Sequence, residues 1–293
     1  MNRRKKMVLM RFLLLALTVL PLTDQLQAGI WSDVVETFKG KNKSTAPTTR
    51  ILITHDVERV NLEVKGKYSL FDPYTDTFIS SRFIGKNRVV EALRDGLKWG
   101  ESFPGLYQIK IRPDDTATRI IINNKEYKGS IYIYDIGGSI SIVNQVPVED
   151  YICQILSVYE NNQIHPEALS ALAIIARTNA YFQAVNPKNT YWAVDAQKVG
   201  YEGTAFVPAE VEDAVRLTRY MIMSRTGVYE GIATPFAAQI SGQLFGAQAA
   251  KEIESAKISL EEANKMAENG SHAAQILAKA FPGTTIMLIE YAN

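Results

Sequence analysis

Between Pro147 and Phe182 the chain spells two helices in succession, and any fold it adopts has to pack around them. Pro147 suits a first helical position, where its missing N–H costs nothing, and Glu149 and Asp150 face the positive end of the helix dipole. Apolar residues recur at Ile152, Ile155, Leu156 and Tyr159, a helical spacing with one buried stripe. Asn161, Asn162 and Gln163 end that helix, because their side chains compete for backbone hydrogen bonds. Pro166 and Glu167 repeat the proline-then-acid start. From Ala168 to Phe182 the second helix is apolar nearly all round, broken by Ser170 and the cluster Arg177-Thr178-Asn179. Such a helix belongs in the middle of a core. An arginine inside it needs a carboxylate or carbonyl partner.

The residues before this pair read mostly as strands. Runs at 50–53, 60–64 and 106–111 are short, β-rich and bounded by turn residues. Residues 120–122 and 130–134 suggest a hairpin-like pair, and Gly137-Gly138 turns the chain into 139–143. One helix is expected over Asn87–Trp99, from Val89, Val90, Leu93 and Leu97. After the helical pair, residues 186–207 are loop-rich and aromatic, and Pro208–Leu217 fits a helix. A second hairpin is expected from Tyr220–Met223 through a turn at 224–227 to Val228 and beyond. Ala247–Asn269 reads as a charged amphipathic helical stretch. The fold class is α+β, with a β-rich N-terminal half packed on a helical core.

Residues 1–28 read as a signal peptide: a basic start at Arg3–Lys6, an apolar run from Phe12 to Leu20, and Leu26-Gln27-Ala28 ahead of Gly29. The apolar run is short for a membrane span and Arg11 interrupts it, so an uncleaved inner-membrane anchor is the alternative. Residues 29–49 follow as a linker, 50–145 as the β-rich part, and 146–293 as the helical core and C-terminal part. The segment 1–28 holds five basic residues and one acid, so its removal takes the net charge from +1 to −3. That balance argues against nucleic acid as a partner. The single cysteine, Cys153, rules out an internal disulfide and reads as a buried, inert thiol.

Standard catalytic signatures are missing: the chain has no Gly-x-Ser-x-Gly elbow, no His-Glu-x-x-His and no phosphate-binding glycine loop. His55, His165 and His272 lie far apart and beside polar or turn residues, and they read as surface or capping side chains. No metal and no cofactor is expected.

Val-Glu-Asp-Tyr at 148–151 and Glu-Ala-Leu-Ser-Ala-Leu-Ala-Ile-Ile-Ala-Arg-Thr-Asn-Ala at 167–180 resemble the SpoIID/LytB family of sporulation proteins and amidase enhancers. The likeness extends upstream through Asn124–Ser130 and Gly138–Pro147. Downstream it includes Tyr201-Glu-Gly, Ala214–Arg219, Thr234-Pro-Phe, Ser241-Gly242, Met266–Ser271 and Phe281–Ile286. The resemblance implies a protein of the cell-envelope space, or periplasm, that acts on peptidoglycan glycan strands. An amidase or the division machinery is an implied partner. Active members are lytic transglycosylases that use one glutamate at the end of the first helix. The alternative is a non-catalytic, wall-binding amidase enhancer; a third reading is a scaffold that docks through Ala247–Asn269. Some members hold zinc in the loop before Tyr-x-Gly, but residues 186–206 here contain neither Cys nor His. The charged stretch at 247–269 also departs from the family, which carries a compact glycine-rich turn there.

The register of the acid departs from the family. Counting eight residues from Tyr151, or eight back from Glu167, lands on Tyr159, and Glu160 is one position further on. A phenol is a poor general acid for a glycosidic oxygen. Glu160 reads as the displaced catalytic acid, as an exposed helix-end residue of a glycan binder, or as a structural partner of Arg177. Leu172 stands where the family carries glutamine. By resemblance, Glu160 is the candidate catalytic residue, and Tyr159, Arg177, Tyr201 and Ser241 are the candidate substrate contacts. The aromatic side chains Tyr181, Tyr191, Trp192 and Tyr201 are candidates for a sugar groove.

Overall fold

Alternating apolar residues in the first hundred described positions make strands, and each strand sends one side of its alternation inward. The computed structural model describes residues 47–82, 87–159, 163–186, 189–203, 206–225, 237–239 and 253–289. The expected signal segment, and the expected linker up to residue 46, lie outside the described residues. In chain order the first strands are β1 (Thr48–Val57), β2 (Arg59–Lys65), β3 (Tyr68–Phe71), β4 (Phe78–Arg82), β5 (Arg88–Leu93) and β6 (Gly96–Trp99). Then come β7 (Glu101–Pro104), β8 (Gln108–Pro113), β9 (Arg119–Ile122), β10 (Lys125–Tyr127), β11 (Ser130–Ile136) and β12 (Ser139–Pro147). The helical pair follows as α1 (Val148–Leu156), extended by a 3-10 turn over Ser157–Tyr159, and α2 (Pro166–Val185). After it run β13 (Val194–Asp195), the short α3 (Ala196–Val199), α4 (Ala209–Leu217) and β14 (Met221–Arg225). The last described elements are β15 (Ala237–Gln239), β16 (Ile253–Ser255), α5 (Leu260–Glu268), α6 (Ala273–Ala280) and β17 (Thr284–Leu288). Helices and a large strand content together make the fold α+β.

Two antiparallel-rich sheets carry strands β1–β13, while β14 pairs with β17 and β15 with β16. The larger has seven in the order β13-β1-β12-β11-β8-β3-β4, with only β13 parallel to its neighbour β1. The smaller has six, in the order β10-β9-β2-β5-β6-β7. One face of the larger sheet sends Ile51, Ile109, Ile131, Ile133, Ile140 and Ile142 into the main core. That core also holds Leu62, Val90 and Ile120 of the smaller sheet and the apolar residues of α2 from Ala168 to Ala176. The opposite face of the larger sheet carries its own small cluster of Leu52, Tyr132, Tyr134 and Val143.

Helix α2 is the axle. Its residues Ala171–Ala176 are all buried, as expected of a helix apolar on every side. Helix α1 buries Tyr151, Ile152, Ile155 and Leu156 against the core, and Tyr159 continues the stripe through the 3-10 turn. Pro147 closes β12 and caps α1 from outside rather than occupying its first turn.

The structure corrects several sequence expectations. Asn87–Trp99 is no helix but the strands β5 and β6, paired Val90 to Trp99. The turn between them uses Gly96 at φ 144, where a Cβ would meet the Phe103 carbonyl oxygen, so tertiary pairing overrides the helical spacing. Residues 120–122 and 130–134 do not pair; β9 hairpins onto β10, and β11 onto β12 and β8. β14 pairs with β17, some sixty positions on, and the partner strand expected from Val228 lies outside the described residues. Among the described residues of 247–269 the helix is Leu260–Glu268, with β16 before it, and 240–252 lies outside the described residues. The fold also begins earlier than expected, since β1 starts at Thr48.

Candidate functional site

Where α1 ends, the chain leaves a cleft of about 540 Å³. Its lining comes from three places: Tyr159 at the end of the 3-10 turn, Gln163, Ile164 and Leu169 at the entry to α2, and Phe206 with residues 208–211 at the start of α4. The volume falls within the usual range for small-molecule pockets. His165 shapes the entry: its ring accepts the Glu167 N–H at 3.3 Å, and its own N–H donates to Asn264 at 2.6 Å. Glu167, the acid of the Glu-Ala-Leu motif, is occupied elsewhere, accepting the Ala273 N–H at 2.7 Å and so capping α6. Phe206 is 75% exposed on the cleft wall, a large apolar surface left open to solvent. Glu210 is the carboxylate among the described lining residues.

Tyr159 is 4% exposed, and burial pushes its phenol far above the ordinary tyrosine range. It stays neutral at any physiological pH and cannot deliver a proton as a strong acid would. Glu160, the next residue, lies outside the described residues, as does Ser241.

Arg177 is a structural strut. It is 1% exposed, and it grips Glu149 through two parallel bonds, Nε to Oε1 at 2.8 Å and Nη2 to Oε2 at 2.6 Å. Its remaining donors go to the carbonyl oxygens of Thr218, Met221 and Val215. One guanidinium therefore joins α1, α2, the end of α4 and the start of β14, satisfying carbonyls that a helix end leaves open. Arg177, expected as a substrate contact, spends its donors inside the protein; its carboxylate partner among the described residues is Glu149.

Tyr201 is also inside. Its hydroxyl donates to Asn144 Oδ1 at 2.7 Å, and Asn144 in turn donates to the Lys128 and Ser130 carbonyls. Burial pushes the Tyr201 phenol up strongly. Two residues on, Gly203 sits at φ 87 against β10, where a Cβ would collide with the Glu126 carbonyl oxygen. The Tyr-x-Gly motif thus fastens the loop to the sheets.

The aromatic residues expected in one groove divide. Tyr181 is buried in α2. Tyr191 and Trp192 lie instead on the outer face of the larger sheet, with the Tyr191 ring 4.7 Å from that of Tyr134 and the Trp192 ring 5.1 Å from that of His55. Sequence reasoning missed Asn144 and the pairing of Glu149, since a polar residue in a strand and an acid in a first helical turn have many innocent readings. His165 and His272 do cap helices, as their flanking residues indicated.

This combination, a buried helix packed among its neighbouring helices and β14 with a cleft at the end of the helix before it, defines a class by its central segment. Residues 137–224 match the family described as SpoIID, Stage II sporulation protein. The match runs from the β11–β12 turn to β14 and contains the Arg177 strut, the Tyr-x-Gly loop and the cleft-lining residues; it points to a cell-wall-related role. The chain is 28% identical over 265 residues to an uncharacterized protein of Chlamydia pneumoniae, covering 89% of this chain and 88% of that one. It is 28% identical over 248 residues to one of Chlamydia muridarum, covering 83% and 78%. An uncharacterized protein of Brachyspira hyodysenteriae is 29% identical over 204 residues, 68% of this chain and 54% of that one. No solved structure matches the chain.

Proposed function

We propose that the chain is exported through residues 1–28 and cleaves peptidoglycan glycan strands as a lytic transglycosylase, with Glu160 as acid and then base. The carrying observation is that Tyr159, the residue immediately before Glu160, lines a cleft inside the SpoIID-like segment. In the reaction, the carboxylic acid protonates the glycosidic oxygen as the bond from the anomeric carbon breaks. The carboxylate then takes the proton from the sugar's own primary hydroxyl, which attacks the anomeric carbon and closes an anhydro ring. No water is consumed, and one carboxyl group serves both steps. Partial burial that raises its pKa would suit the first step. Among the described residues no helix is long and apolar enough to cross a membrane.

A second reading is favoured by Tyr159 itself. Where the family places its acid, this chain has a buried phenol held neutral. That supports a wall-binding module that stimulates a partner amidase without cutting. Mass spectrometry of purified peptidoglycan incubated with the protein separates the two. Anhydro-muramoyl products that vanish in Glu160→Gln support the transglycosylase, and products that survive the substitution move the acid elsewhere. Absence of products with retained wall binding supports the module.

A further inference from the structure

The outer face of the seven-stranded sheet has a composition that its packing alone does not require. Registers β1–β12, β12–β11 and β11–β8 bring Leu52, Val143, Tyr132 and Lys110 into one row across four strands, with Arg50 on the next row. The Arg50 guanidinium stands 4.8 Å from the Tyr132 ring centre and the Lys110 ammonium 5.6 Å from the same ring. Two cations thus crowd one aromatic ring. Lys110 has a distant acid, Asp76 at 3.7 Å, whereas Arg50 has no carboxylate partner among the described residues.

Beside this pair a loop is built to present rings. Asn189 Oδ1 accepts the backbone N–H groups of both Tyr191 and Trp192, at 2.8 and 2.9 Å, and Ala193 N–H ties the loop to the Arg50 carbonyl at 2.9 Å. Tyr191 stands edge-on to Tyr134 and 6.2 Å from Trp192, and it remains 37% exposed. Among the described residues the Tyr134 and Tyr191 hydroxyls and the Trp192 indole N–H have no hydrogen-bond partner. Aromatic faces, free polar edges and one unneutralised cation, Arg50, occur together here, and none of these residues lines the cleft beside Tyr159.

We propose that this face, formed by Arg50, Lys110, Tyr132, Tyr134, Tyr191 and Trp192, is a second binding site, for a saccharide that carries carboxylates. Tyr191 and Trp192 stack on the sugar rings, their polar edges meet ring hydroxyls, and Arg50 takes a carboxylate in a charge-assisted pair. Charge complementarity selects an acidic sugar over a neutral one, because two like charges on one ring repel until an anion sits between them. The site stands on its own geometry and does not depend on glycan cleavage at the cleft.

The test titrates the full chain with a tetrasaccharide of alternating N-acetylglucosamine and glucuronic acid, and with its carboxyl-reduced form, following tryptophan fluorescence and heat. The acidic sugar is expected to bind about tenfold more tightly than the reduced one, the worth of one charge-assisted bond. Arg50→Gln is expected to remove that preference, and Tyr191→Ala to weaken both sugars by roughly two- to tenfold. Glu160→Gln is expected to bind as the unaltered protein does. Equal binding of the two sugars, or an unchanged preference in Arg50→Gln, would overturn the proposal. So would the absence of binding to either sugar, or binding lost in Glu160→Gln but kept in Tyr191→Ala. A chain that cuts no glycan but shows the acidic preference sinks the transglycosylase reading and leaves this one standing.

Discussion

Arg177 and Glu149 meet in the interior through two parallel N–H···O bonds of 2.8 and 2.6 Å, although 28 residues separate them in the chain. The carboxylate comes from the first turn of α1 and the guanidinium from the middle of α2, so the pair fixes the angle between the two helices that frame the cleft. The same guanidinium closes the end of α4 through the Val215 and Thr218 carbonyls. Since the start of α4 forms the far wall of the cleft, the strut holds both walls at once.

Breaking that strut is expected to cost stability before it touches any chemistry. Arg177→Met strands a carboxylate that is about four-fifths enclosed, and the loss should reach about 3 kcal/mol, read as a fall in the urea midpoint. Arg177→Lys restores the charge but not the paired geometry, and it should recover only part of the loss. A variant as stable as the parent would show that the pair is dispensable.

The Tyr-x-Gly loop offers a second check. Tyr201→Phe removes the hydroxyl from Asn144 Oδ1 and leaves a buried acceptor open, at a cost of about 1–3 kcal/mol. Gly203→Ala forces a side chain into a left-handed backbone against β10 and should cost about 1–3 kcal/mol as well. Thermal unfolding reads both, and no change in either would mean the loop is not fastened where described.

Cys153 makes a prediction about pH. Burial first, then the neighbouring carboxylates Asp150, Glu149 and Glu212, push its thiol up to about 12. An unfolded thiol ionises near about 8.5. The folded state therefore keeps the proton longer, and this part of the stability is present below about pH 8.5 and lost as pH rises toward 12. At pH 8 an aromatic disulfide reagent should label the native protein slowly and the urea-unfolded chain fast. Rapid labelling of the native thiol would contradict its enclosure. Cys153→Ala should flatten the alkaline fall in stability.

Phe206 separates binding from folding. Its ring is mostly in solvent, so Phe206→Ala should change stability by no more than about 0.5 kcal/mol. If glycan lies in the cleft, the same change should weaken wall binding about two- to tenfold, measured by sedimentation with insoluble peptidoglycan. Unaltered binding would remove the cleft from consideration.

Much of the interior was legible because it is written in local periodicity. The stripe Ile152, Ile155, Leu156 and Tyr159 is buried as its spacing implied, α2 runs from Pro166 through the apolar stretch, and α4 turns Val211, Ala214 and Val215 inward. Arg177 announced a buried partner by its setting. Asn87–Trp99 shows the limit: Val89, Val90, Leu93 and Leu97 fit a helical face as well as two strands, and only neighbours on both sides choose between them. β14 shows another, since nothing within its own sequence points sixty residues ahead to β17.

The candidate site divides along the same line. Tyr159 at the acid's position is a matter of counting, and no fold was needed to see it. That Tyr201 serves Asn144, that Arg177 serves Glu149, and that Tyr191 and Trp192 face away from the cleft to join Tyr134 and His55, were decided by the tertiary structure. The sequence by itself determined α1, α2 and α4, their apolar faces and the residues that break a pattern, because these depend on neighbours three or four positions away. Which side chains spend their hydrogen bonds inside, and which are left to meet a ligand, depends on groups brought together from distant parts of the chain, and only packing supplies those.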